Sequence, residues 1–79
     1  MSVKGEIVLH DTRYYLHKKH VRIMLSQRAP NTSDMHYVIC HYVNNAVAAT
    51  YYAGTDGEHA SKMFNAQNYT YKVMRDVGI

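Results

Sequence analysis

Val21, Ile23 and Leu25 alternate with Arg22, Met24 and Ser26, the period of two that a strand shows when one face is buried. A two-residue turn at Lys18–Lys19 pairs Leu16 with Val21 and Tyr14 with Ile23, so all four share a face with Leu25. Residues 12–26 also admit a helix capped by Asp11, because Leu16, Ile23 and Gln27 fall near helical spacing. The hairpin is the preferred expectation, even though Lys-Lys is a poor primed turn. Residues 5–9 are short and rich in β-formers and predict a further strand.

A second hairpin follows the stretch QRAPNTSD at 27–34, whose Pro30, Asn31, Ser33 and Asp34 mark a loop. MHYVICHYV and AVAATYYA flank Asn44–Asn45, and asparagine tolerates the positive φ that a tight hairpin turn demands. Pairing Val43 with Ala46 places Val38, Cys40, Tyr42, Val47, Ala49 and Tyr51 on one face. Tyr37, Ile39, Val43, Ala46, Ala48 and Tyr52 then share the other. Thr55 and Glu58 match a capping box in T-D-G-E. They predict a short helix over about 56–66, with Ala60, Met63 and Phe64 as its apolar stripe and Glu58 and Lys62 on its wet side. Tyr69, Tyr71 and Val73 alternate with Thr70, Lys72 and Met74 and predict a last strand before the DVGI tail. The expected fold is α+β: an antiparallel sheet built from hairpins with one short helix on one face, in one domain over 1–79.

Composition adds three constraints. One cysteine among 79 residues excludes an internal disulfide and suits a reducing compartment. No apolar run approaches a membrane span, and the amino terminus MSVKGEIVLHDTR lacks the apolar core of a secretion signal, so a cytoplasmic protein without membrane contact is expected. The net charge of +3 is local. Lys4, Arg13, Lys18, Lys19, Arg22 and Arg28 oppose Glu6 and Asp11 in residues 1–28, giving +4, while Lys62, Lys72 and Arg75 oppose Asp34, Asp56, Glu58 and Asp76 in the remainder, giving −1.

Candidate chemistry is sparse. Six histidines invite a metal, with His17, His20, His36, Cys40 and His41 as donors. His17 and His20 face each other in the expected hairpin, but His36 and His41 differ by five positions and project from opposite faces of their strand, so no metal or other cofactor is expected. Cys40 lies in a charge-free strand and reads as a small buried hydrophobe. Asp56 and Glu58 belong to a helix start, Asp11, Asp34 and Asp76 to turns or the tail, and the Gly54–Gly57 segment holds a carboxylate that would repel a phosphate. No catalytic residues are assigned, and the chain is expected not to be an enzyme.

The surface is more informative. Opposite Leu16 and Val21 the first hairpin shows Arg13, Tyr15, His17, His20 and Arg22, with Lys18 and Lys19 at its tip. Cations interleaved with an aromatic suit phosphates and bases, an acidic protein surface, or a solvated edge that resists aggregation. Residues 35–55 contain no Asp, Glu, Lys or Arg but four tyrosines. A ribbon apolar on both faces needs two covers. The first hairpin, a second copy, or a partner docking on Tyr37 and Tyr52 could supply the second.

Residues 49–77, with TDGEHASKMFNAQ and NYTYKVMRDV as a strand–helix–strand unit and Ala60, Lys62 and Val73-Met74-Arg75 within it, resemble small phage-encoded anti-CRISPR and other anti-defence proteins. The resemblance implies a non-enzymatic phage or mobile-element inhibitor that binds a host nucleic-acid-handling complex and occludes its functional surface. The expected partner is a host protein or ribonucleoprotein complex, with Arg13, Tyr15, Lys18, Lys19, Arg22, Tyr37 and Tyr52 as partner-binding residues. Direct nucleic-acid contact by the basic hairpin, as in a small nucleic-acid-binding regulator, is the alternative, and a homodimer is compatible with either.

Overall fold

A computed structural model describes residues 5–77; Lys4 and the earlier residues, and the end of the DVGI tail, lie outside it. Four strands run β1 (Glu6–Leu16), β2 (Lys19–Arg28), β3 (His36–Val43) and β4 (Ala46–Tyr52), followed by α1 (Gly57–Asp76). They form an antiparallel meander in the order β1-β2-β3-β4. The α+β expectation therefore holds: an antiparallel sheet with one helix packed against one face.

Residues 12–26 are a hairpin and not a helix, with the turn one position earlier than expected. His17 and Lys18 carry φ of 52° and 64°, Leu16 pairs with Lys19 and Tyr14 with Val21. This moves every pairing by two residues, so the side chains keep their faces, and Tyr14, Leu16, Val21, Ile23 and Leu25 are all buried beneath α1. His17 and His20 do not face each other, because His20 stands opposite Tyr15. The strand expected at 5–9 and the first arm of the hairpin are one strand, interrupted by a bulge at Leu9. Asp11 consequently lies inside β1 and not in a turn. The loop is shorter than 27–34 at its start, since Gln27 and Arg28 still belong to β2.

The second hairpin turns at Asn44–Asn45 (φ 50° and 70°) with Val43 opposite Ala46, as its sequence requires. Its faces change part-way. Tyr42 pairs with Val47 but His41 with Ala49, leaving Ala48 as an extra residue, and such a bulge reverses the facing of everything beyond it. Tyr51 thus joins Ile39 and His41, while Tyr52 joins Val38 and Cys40, the reverse of the strict alternation. The first hairpin covers neither face of the second: it lies beside it, with β2 hydrogen-bonded to β3.

The helix differs most. It runs 20 residues, starts at an Asp56 cap whose carboxylate accepts from Glu58 N–H at 3.0 Å, and does not use Thr55 in a capping box. The expected strand at 69–74 is its second half. Met63, Tyr71 and Met74 continue the stripe begun by Ala60 and Phe64, at successive intervals of three, one, seven and three that suit one helical face. Tyr69 and Val73, the other half of the apparent alternation, are exposed. Burying one apolar face against the sheet outweighs the β-preference of Tyr and Val. The core centres on Ile23, Leu25 and Ile39, which are fully buried.

Candidate interaction face

The sheet face opposite α1 carries no further element among the described residues, and pairing sets its side chains in rungs. Tyr15 stands beside His20 at the hairpin end, with ring centroids 4.8 Å apart. The next rung is Arg13, Arg22, Tyr42 and Val47, followed by Asp11, Met24, Cys40 and Thr50, then Val8, Ser26, Val38 and Tyr52, and finally Glu6, Arg28 and His36. Ser26, Val38 and Cys40 are buried although no layer covers them; they are short side chains flanked by longer ones on the same face. Cys40 is the small buried residue expected, with Sγ 3.9 Å from Thr50 Oγ1.

Electrostatics reshape the expected basic patch. Arg22 Nε and Nη2 donate to the two carboxylate oxygens of Asp11, each at 2.8 Å, and Arg13 Nη2 lies 3.8 Å from the same carboxylate. The two-pronged hydrogen bond from Arg22 holds the Asp11 carboxyl below its ordinary range, against a smaller opposing effect of partial burial. The same bond raises Arg22. Arg22 also lies 5.7 Å from the Tyr42 ring centroid, and burial, followed by the neighbouring Cys40, pushes the Tyr42 phenol up. Farther along, Arg28 Nε approaches Glu6 Oε2 at 3.4 Å. Three arginines against two carboxylates leave this face about one positive charge, before Lys18 is added at the turn.

The proposed contact residues therefore divide. Arg13, Tyr15 and Arg22 share the helix-free face, and Tyr15 is 61% exposed. Lys18 is in the turn, but Lys19 opposes Leu16 and belongs to the helix-side register. Tyr52 is on the helix-free face, 68% exposed and tilted against His36. Tyr37 is on the other side, half buried against the core. Its hydroxyl sits where a side-chain carbon on Gly57 would come within 2.9 Å, so its place is in joining β3 to the helix start. Asp11 and Tyr42 were missing from the expected set; the i, i+2 spacing of Asp11 and Arg13 on one strand face was the signal available for Asp11.

The end of this face near both turns is pinned. His20 N–H donates to Asn44 Oδ1 at 3.0 Å and Asn44 N–H to the His20 carbonyl at 2.8 Å, beside a shallow cleft of about 330 Å³ lined by Arg13, His20, Arg22 and Asn45. On the helix side His41 is buried, bonded through Nδ1 to the Tyr71 hydroxyl at 2.6 Å and through Nε2 to Gln67 Oε1. Because the Gln67 oxygen accepts, Nε2 carries a proton, and in the neutral ring Nδ1 accepts from Tyr71. Burial, and secondarily Tyr51, pushes the Tyr71 phenol up, which suits that donor role. Among the described residues no three His, Cys, Asp or Glu side chains converge on a point, and no helix is long and apolar enough to cross a membrane. No family model, curated protein or solved structure matches the chain.

Proposed function

We propose that this protein acts by binding, as an inhibitor of the anti-CRISPR type that docks its helix-free sheet face on a host nucleic-acid-handling protein or ribonucleoprotein complex and occludes it. The observation that carries this reading is the pairing of exposed Tyr15 with His20 beside the Arg13–Arg22–Tyr42 rung, in which Arg13 is exposed and Arg22, half-buried, is anchored by Asp11. Arginine and tyrosine held in fixed positions suit a protein contact, because both give large contact area and little of their freedom remains to be lost. The inhibitory role and the phage or mobile-element origin rest on the resemblance of residues 49–77, of which the structure keeps the strand–helix part alone, since NYTYKVMRDV is helix and not a second strand.

Charge favours a protein surface over naked nucleic acid. With about one net positive charge on the face plus Lys18, phosphate binding would release only about two counterions, giving a log–log salt slope of roughly −2 or shallower. Capture of a nucleic-acid-handling complex from bacterial lysate on the immobilised protein, identified by mass spectrometry, is the test. Arg13→Glu with Tyr15→Ala is expected to lower affinity roughly tenfold or more, with the fold intact because both side chains are exposed. Equal capture by the double variant overturns the assignment. Tight binding to isolated DNA or RNA with a steep salt slope overturns it in favour of a nucleic-acid-binding regulator.

A further inference from the structure

β4 is the least covered strand of the sheet. None of its residues is buried, α1 packs over β1, β2 and β3 and comes near this strand at Tyr71 and Tyr51, and among the described residues the opposite face carries no element and the outer edge pairs with no strand. Strand edges are ordinarily blunted by lysine, proline or a charge, and AVAATYY contains none of these. The β1 edge does carry Glu6, Asp11 and Arg13; each edge strand holds one bulge, at Leu9 and at Ala48, so charge is what separates the two edges. A bare edge joined to a blunted one would propagate head to tail; a bare edge joined to its own copy closes on a twofold axis.

The backbone phase fits such closure. Ala53 N–H donates to the Tyr37 carbonyl at 2.9 Å, and farther along Ile39 stands opposite Tyr51 and His41 opposite Ala49. Ladder bonds alternate along an antiparallel pair, so Ala49 and Tyr51 direct their backbone groups to β3 while Thr50 and Tyr52 direct theirs outward. An antiparallel copy centred on Thr50 sets Thr50 against Thr50 as a hydrogen-bonded pair, Tyr51 against Ala49 and Tyr52 against Ala48. Large meets small on both sides of the axis and no charges oppose.

We propose that β4 is a self-association edge, where a second copy of the chain adds antiparallel about a twofold axis at Thr50 and joins the two four-stranded sheets into one. A foreign strand would satisfy the edge alone. A second copy also brings its own Tyr51 and Tyr52 to the seam, one on each sheet face, where the existing rings are 42% and 68% exposed. The contact goes beyond the target-binding reading and is measured without any target, so either can fail alone.

Sedimentation equilibrium of the wild-type chain at micromolar concentration is expected to give twice the chain mass. Thr50→Lys, which sets two ammonium groups against each other at the axis, is expected to halve that mass with an unchanged circular dichroism spectrum, while Tyr69→Lys on the exposed helix surface leaves it doubled. In the wild type, exchange of the Thr50 and Tyr52 amides is expected to slow roughly tenfold as concentration crosses the dimerisation range, and this decides the matter if Thr50→Lys fails to fold. A wild-type chain that stays at single mass, a folded Thr50→Lys chain at double mass, or amide exchange independent of concentration overturns the proposal. Protection that develops only when a target is added also overturns it, in favour of a foreign strand.

Discussion

The two hairpins have the same turn geometry and opposite reasons for it. Asn44–Asn45 occupies the left-handed region with residues that tolerate it; His17–Lys18 occupies it at similar angles with a lysine that does not favour it. The first turn is imposed by what its strands bury. Tyr14, Leu16, Val21, Ile23 and Leu25 all reach the core from β1–β2, whereas β4 places no residue there. Local turn chemistry suffices for a ribbon that buries little on its outer strand, and core packing can override poor turn chemistry where the strands bury much.

The sharpest way to break this contrast is a pair of truncations. Ile23→Ala, at a fully buried position, is expected to cost about 2–5 kcal/mol in urea unfolding. Val47→Ala on β4, measured at concentrations too low for association, should change stability by less than ~0.5 kcal/mol because its side chain is 61% exposed. Equal costs would mean that the hairpins share the core evenly.

A smaller effect is expected at the turns. Lys18→Gly removes the left-handed penalty at φ 64° and should stabilise the fold by about 1 kcal/mol, with Asn45→Gly gaining less by the same measurement. If the two gains are equal, the first turn is no more strained than the second.

The smallest effect concerns the charged rung that only the first hairpin has. Asp11 titrates lower in the folded chain than its ordinary 3.8, so its contribution is present above that value and fades as pH falls through it. The pair is partly exposed, with Asp11 at 27% and Arg22 at 35%, which limits the contribution to under ~1 kcal/mol. Unfolding of wild type and Asp11→Asn between about pH 6 and pH 3 should show the wild-type advantage shrinking toward acid. An advantage constant across that range would remove the ion pair from the account.

Much of this was legible in residue order, for identifiable reasons. The core face of β2 could be read from Val21, Ile23 and Leu25 without knowing the turn, because a two-residue shift leaves facing intact. A one-residue insertion does not, so the Ala48 bulge reversed Tyr51 and Tyr52 with no local signal to announce it. Residues 69–74 carried a period of two in their tyrosines and a helical period in Tyr71 and Met74 together with Phe64, and nothing local chose between them. Of the residues expected to make contact, strand parity placed Arg13, Tyr15 and Arg22 on one face, whereas Tyr37 lies on the helix side, because tyrosine serves cores and surfaces alike.

Alternation, turn formers and the charge-free stretch were enough to specify an antiparallel sheet with a helix, its two hairpins, and a cation–aromatic surface at one end, while the joining of β2 to β3 was not among them. The helix length, the two bulges and the Asp11–Arg22 clamp were decided by assembly. Each depends on which surfaces are already buried when the segment docks, and burial is a property of neighbours distant in the chain that no local pattern records.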